Sequence, residues 1–104
     1  MMQGTTPCLL VRPKLRDLTT AKKIVFTIKQ GARMHEWSDR VQILSADEEG
    51  TILCIHLTQE ETLAMRPGIY RMQVSWIDQS DQSRKTLIGE GDVLESLHKG
   101  VIVP

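Results

Sequence analysis

The sequence predicts an all-β chain: an antiparallel β-sandwich of roughly immunoglobulin-like size with two short helices, occupying residues 1–104 as a single domain. Three observations carry that expectation. Hydrophobic residues alternate with period two at 23–30, 51–57 and 69–77. Turn-forming clusters separate these runs at regular, short spacing. No helical pattern is long enough to act as the crossover that parallel strands require. A small open barrel is the structural alternative.

The elements follow in chain order. Cys8 to Val11 can form an edge strand, with Pro7 and Pro13 confining it to an edge or a bulge. In 23–30, Ile24, Phe26 and Ile28 point one way and Lys23, Val25, Thr27 and Lys29 the other, until Gly31 ends the run. Residues 33–37 read as the returning partner. Val41 and Ile43 mark a further strand, closed by the acidic turn Asp47-Glu48-Glu49-Gly50. The run 51–57 directs Leu53, Ile55 and Leu57 to the core and leaves Ile52, Cys54 and His56 on a face less polar than a solvated sheet should show. Thr58 followed by Glu61 is a capping box, with Glu60 and Glu61 in the first turn where the helix dipole favours negative charge, so a short helix is expected near 59–65 before Arg66-Pro67-Gly68 stops it. In 69–77, Tyr70, Met72, Val74 and Trp76 point inward and Arg71, Gln73 and Ser75 outward. Asp78 to Gln82 reads as a polar hairpin turn leading into a strand at about 84–89. Asp92 and Glu95 form a second capping box, with Gly100 suited to follow the last turn, so a short helix is expected at about 93–99.

Composition excludes several classes of function. Lys plus Arg and Asp plus Glu are 13 each, a formal charge of zero, which argues against a dedicated nucleic-acid binder. The local cluster Lys14, Arg16, Lys22 and Lys23 reads as solvated strand ends and loop. No apolar run approaches the roughly 18 residues of a membrane span, and the N-terminus lacks the basic and apolar regions of a secretory signal, so the cytosol is the default compartment. There Cys8 and Cys54, far apart and without CxxC spacing, are expected to be free thiols, with a bridge as the minor alternative.

No catalytic motif stands out: phosphate loops, GxSxG, HExxH and zinc-ribbon spacings are absent from the sequence. His35, His56 and His98 fall in three different elements. A zinc site can be drawn from Cys8, Cys54 and His56, but no fourth ligand is indicated, so neither metal nor other cofactor is expected. The pairs Glu48-Glu49 and Glu60-Glu61 have local explanations in a turn and a cap. Tyr70 and Trp76 share the inward phase of one strand, which leaves Trp37 as the candidate surface aromatic for stacking a sugar.

Several segments together carry a resemblance. Gly4-Thr5-Thr6-Pro7, the strand Ile24 to Gly31, Leu57-Thr58-Gln59-Glu60-Glu61-Thr62-Leu63, Met72-Gln73-Val74-Ser75-Trp76 and Leu97-His98-Lys99-Gly100-Val101-Ile102 resemble, in order and spacing, small proteins encoded in prophage structural-gene regions of Clostridia and related Firmicutes. The resemblance covers nearly the whole chain and rests most on the LTQEET clasp. It implies a non-enzymatic component of a phage particle, of the tail or baseplate region, present in the bacterial cytoplasm during assembly and then in the virion. It also implies a Gly-containing tight hairpin after Trp76, where 78–83 has no glycine. Expected partners are other particle proteins or further copies of the chain, through Ile52, Cys54 and His56, with no nucleic acid or membrane. A carbohydrate-binding module using Trp37 and a small regulatory protein that binds a bacterial target are the alternatives.

Overall fold

The computed structural model describes residues 1–13 and 17–104, so Lys14 and Arg16 of the basic cluster lie outside the described residues. Among the described residues seven strands and one helix follow in the order β1 (Cys8–Val11), β2 (Lys23–Gln30), β3 (Arg33–Trp37), β4 (Val41–Asp47), β5 (Gly50–His56), α1 (Gln59–Leu63), β6 (Gly68–Ile77) and β7 (Ser83–Val93). They build a three-stranded sheet in the order β1-β5-β4 and a four-stranded sheet in the order β3-β2-β6-β7. Every strand pair is antiparallel. The lone parallel contact among the described residues is an isolated bridge between Met2 and Leu94. The predicted all-β fold of two antiparallel sheets therefore stands, with one short helix among the described residues rather than two.

The period-two pattern explains which side of each strand is dry. Phe26, Ile28, Leu53, Ile55 and Val74 are fully buried, and Trp37, Tyr70, Trp76 and Val93 join them between the sheets. Several buried polar groups are satisfied from neighbouring segments, while His35 Nε2 is buried without a partner. The Gln30 side chain donates to the Arg66 carbonyl at 2.6 Å and accepts from the Arg66 N–H at 3.1 Å. Gln3 donates to the Met65 carbonyl at 2.7 Å and accepts from the Ser96 N–H at 3.2 Å. The hydroxyl of the fully buried Thr62 donates to the Thr5 carbonyl at 2.9 Å.

The β6–β7 hairpin dispenses with glycine. Asp81 itself takes the left-handed position, at φ 62°. The Asp78 carboxylate accepts the N–H groups of Ser80 and Gln82, each at 2.9 Å, and thereby holds the turn. Aspartate tolerates this conformation better than most side chains because its short polar group can bond locally.

The predicted helix at 93–99 does not form. β7 continues through Val93, which pairs with Gly68 and is 2% exposed. Asp92, the expected cap, sits inside that strand opposite Ile69. Leu94 then donates its N–H to the Met1 carbonyl at 2.7 Å and accepts from Gln3 at 3.0 Å. Ladder bonds and burial of Val93 outweigh the local capping signal, although the Glu95–Lys99 pair of that signal is made at 2.9 Å. Gly91 permits the long β7, because a Cβ there would approach Tyr70 Cε1 to 2.9 Å.

Both long edge strands carry an irregularity. The β4–β5 register shifts between Ile43 and Ser45, and the β6–β7 register shifts at Met72/Gln73, where Gly89 and Leu87 flank an unpaired Ile88.

Candidate functional site

β5 is the centre of the three-stranded sheet, so both its neighbours help to define its outer face. Leu53 and Ile55 are fully buried on the inner side, followed by Leu57 at 3% exposed, as the alternation predicts. On the outer side Ile52 is half-buried, Cys54 is buried and His56 is exposed. The register places Leu10 of β1 and Gln42 of β4 opposite Cys54, and Ser45 opposite Ile52. Leu10 is 63% exposed and Leu44, in the irregular stretch of β4, is 57% exposed. Leu10 and Ile52 thus make this face partly apolar on β1 and β5, and Leu44 stands outside the ladder at the register shift of β4. The C-terminal segment lies elsewhere: Gln59 clasps the backbone of Ile102 through bonds of 2.8 and 2.9 Å, and Val101 lines a hollow with Thr6, Leu57 and Thr58.

Cys54 is buried on an outward face because it is bonded to Cys8. The expectation of two free thiols is therefore corrected: both cysteines are consumed in one disulfide. Register is the reason. Cys8 pairs with His56 and Leu10 with Cys54, so the two cysteines stand diagonally across β1 and β5 with Cα atoms 6.2 Å apart, within disulfide reach. His56 Nε2 lies 3.4 Å from Cys54 Sγ. The three residues that the sequence only allowed to be drawn together are in fact together, their ligand atoms all within 4.8 Å of one another.

A second cluster centres on Glu61. Thr58 has extended backbone (φ −85°, ψ 164°), its hydroxyl accepts the Glu61 N–H at 3.2 Å, and Glu61 returns the bond to the Thr58 N–H at 2.8 Å. The same carboxylate accepts the Trp37 indole N–H at 2.5 Å and Arg40 Nη1 at 2.7 Å, with Arg40 Nη2 on its other oxygen. Hydrogen bonding by Arg40, then by Trp37 and Thr58, outweighs desolvation and lowers the Glu61 pKa from its ordinary 4.5 to about 2. One side chain therefore caps α1, neutralises Arg40 and satisfies a buried indole. Trp37 is 5% exposed and packs beside Phe26 and His35, so it offers no stacking surface for a sugar.

The remaining candidates fall where local chemistry expects. Glu49 pairs with Arg12 at 2.7 Å, and Lys22 with Asp81 at 2.5 Å. His35 stacks near Trp37 and His98 is exposed, so the three histidines stay apart and His56 alone joins the cysteines. A shallow groove of about 410 Å³ on the four-stranded sheet is lined by Lys23, Val25, Glu36, Ser75 and Lys85 among others. No helix among the described residues is long and apolar enough to cross a membrane. No protein-family model, curated protein or solved structure matches this chain.

The contributions of Leu10 and Arg40 were missed by reasoning on sequence. For Leu10 a signal existed, since an edge strand starting at Cys8 with alternating phase puts it outward beside β5's outer face. For Arg40 none existed, because its partner is 21 residues away.

Proposed function

We propose that this chain is a non-enzymatic structural or assembly component of a phage particle, of the tail or baseplate region, and that it docks through the outer face of its three-stranded sheet. The carrying observation is the patch of Ile52 and Leu10, the second more than half exposed, while the C-terminal segment is engaged at Gln59. Exposed apolar side chains gathered on one sheet face favour burial against a partner. The resemblance of the LTQEET clasp and its companion segments to prophage-encoded proteins supports the setting, and the balanced charge suits a protein partner better than a nucleic acid. In this reading Ile52 is the centre of contact, His56 lies at its margin, and Cys54 lies between them on the same face, tied to Cys8. The chain resides in the bacterial cytoplasm during assembly and in the virion afterwards.

Ile52→Lys tests the docking face. The long lysine stem can lie along the patch with its charge in water, so the variant keeps its fold. Sedimentation of the wild-type chain is expected to show association at high concentration, or co-sedimentation with purified tail particles. The variant is expected to stay monomeric and unbound. Unfolding of the variant, or a wild-type chain that remains monomeric and binds no particle protein, removes the proposal.

A further inference from the structure

We propose that reduction of the Cys8–Cys54 bond converts the same spot into a three-ligand zinc site, formed by the two cysteine thiolates and His56 Nε2, with the fourth position open to solvent. This inference stands apart from the particle reading and does not rest on it.

The scaffold comes first. Cys54 and His56 are two apart on the central strand of a sheet and share one face, while Cys8 is paired directly opposite His56 on the neighbouring strand. Three donors are thus fixed by ladder hydrogen bonds rather than by loops, which is what a pre-formed site requires. Distances agree with the metal. Tetrahedral zinc, with Zn–S of about 2.3 Å and Zn–N of about 2.0–2.1 Å, sets its sulfur and nitrogen ligands about 3.5 Å apart. Cys54 Sγ and His56 Nε2 are already 3.4 Å apart. All three ligand atoms fit within 4.8 Å, so binding asks only that the two sulfurs move from bonding to non-bonding separation. Cys8 is exposed and can supply that movement by side-chain rotation. Chemistry agrees too. Two thiolates and one imidazole are a borderline-soft donor set suited to zinc, and the two negative charges cancel the ion's charge, so the partly apolar face gains no net charge. Exposure of Cys8 and His56 leaves an entry path.

The two states are exclusive and their interconversion balances. A low-molecular-weight dithiol gives two electrons and two protons to the protein disulfide and leaves as its own cyclic disulfide, producing two cysteine thiols. Zinc(II) then displaces the two thiol protons and gains two sulfur bonds and one nitrogen bond. A small-molecule disulfide restores the bridge by thiol–disulfide exchange, taking two electrons and two protons from the metal-free dithiol and leaving as two thiols, and so abolishes the site.

The test uses the whole chain, reduced with a phosphine, desalted without oxygen and titrated with cobalt(II) as a spectroscopic stand-in for zinc. We expect one cobalt per chain, a thiolate-to-cobalt charge-transfer band in the near ultraviolet, the visible bands of a tetrahedral ion, and their loss when zinc is added. His56→Ala and Cys8→Ser are each expected to weaken binding by at least about tenfold, because even groups that merely support a metal ligand cost 10–100-fold on removal. His35→Ala and His98→Ala should bind as the parent does, and the oxidised chain should bind nothing. Circular dichroism monitors folding throughout. Reduced chain that unfolds and is restored by zinc supports the site, and reduced chain that unfolds irrespective of zinc overturns it. Cobalt bound without the charge-transfer band, bound equally by the oxidised chain, or bound undiminished by His56→Ala also overturns it.

Discussion

Replacing Glu61 by glutamine removes one charge and leaves one acceptor oxygen, which can keep the Thr58 N–H of the capping box, while the Trp37 indole, bound to the other carboxylate oxygen, meets the amide NH2 instead. The expected loss follows from the lowered pKa. A fall from 4.5 to about 2 corresponds to a ceiling of about 3 kcal/mol of folded-state preference for the carboxylate. The side chain is 24% exposed, so solvent screens part of that, and we expect about 1–2 kcal/mol at neutral pH. The sign is fixed by the direction of the shift. A group whose pKa is lower in the folded state contributes stability above its unfolded value, and that contribution fades as pH falls toward its folded value. The difference between parent and Glu61→Gln should therefore be full above about pH 5, shrink as pH falls toward about 2 and vanish below it. Asp17 and Asp78, whose pKa values are also lowered, by Thr19 and by the Gln82 N–H respectively, are present in both proteins and cancel in the difference. Urea denaturation at several pH values, compared at equal slope, measures it. An equal midpoint at pH 7, or a difference that persists unchanged at pH 2, would show that the ionised Glu61 does not stabilise the fold.

Three other expectations concern stability. Thr58→Ala should lower unfolding free energy by about 0.5–2 kcal/mol, read from the denaturant midpoint, since the hydroxyl caps the Glu61 N–H. Asp81→Val should cost about 1–2 kcal/mol in the same assay while Asp81→Gly is tolerated, because φ 62° suits glycine and opposes a β-branched residue. Thiol titration of the unfolded, unreduced chain should find no free cysteine, and reduction should lower stability by about 4 kcal/mol, the chain-entropy value for a bridge spanning 46 residues.

The legible parts of the fold were those in which local pattern and tertiary need coincide. β2, β3 and β6 alternate cleanly or return across a glycine turn, and their observed bounds differ from the expected ones by at most one residue. The α1 cap was equally legible, because Thr58 and Glu61 satisfy each other within one turn. Misreadings arose where a distant partner decided. At 93–99 the residues carry a sound helix signal, but Val93 is drawn into the ladder by Gly68, and Met1 and Gln3 capture Leu94. Cys8 and Cys54 could be joined only by knowing that β1 lies along β5 in one particular register, which no local spacing encodes. Of the candidate face, Ile52 and His56 were correctly placed outward, whereas burial of Cys54 came from the bond that the compartment argument disfavoured.

The irregularities in β4 and β7 have a bearing on how copies of the chain can meet. Each sheet has two outer strands. β1, with four residues between prolines at positions 7 and 13, and β3, with five residues, are too short to template a long neighbour. β4 and β7 are long, but each departs from regular pairing near its middle, which twists the free row of amide and carbonyl groups out of line. Lateral strand addition, the route by which β proteins run into fibrils, is thereby obstructed on all four sides. If copies of the chain associate as proposed, they would meet through the broad surfaces of the sheets, where matching side chains rather than backbone set the geometry, and an assembly of that kind can close on a fixed number of subunits instead of growing without limit.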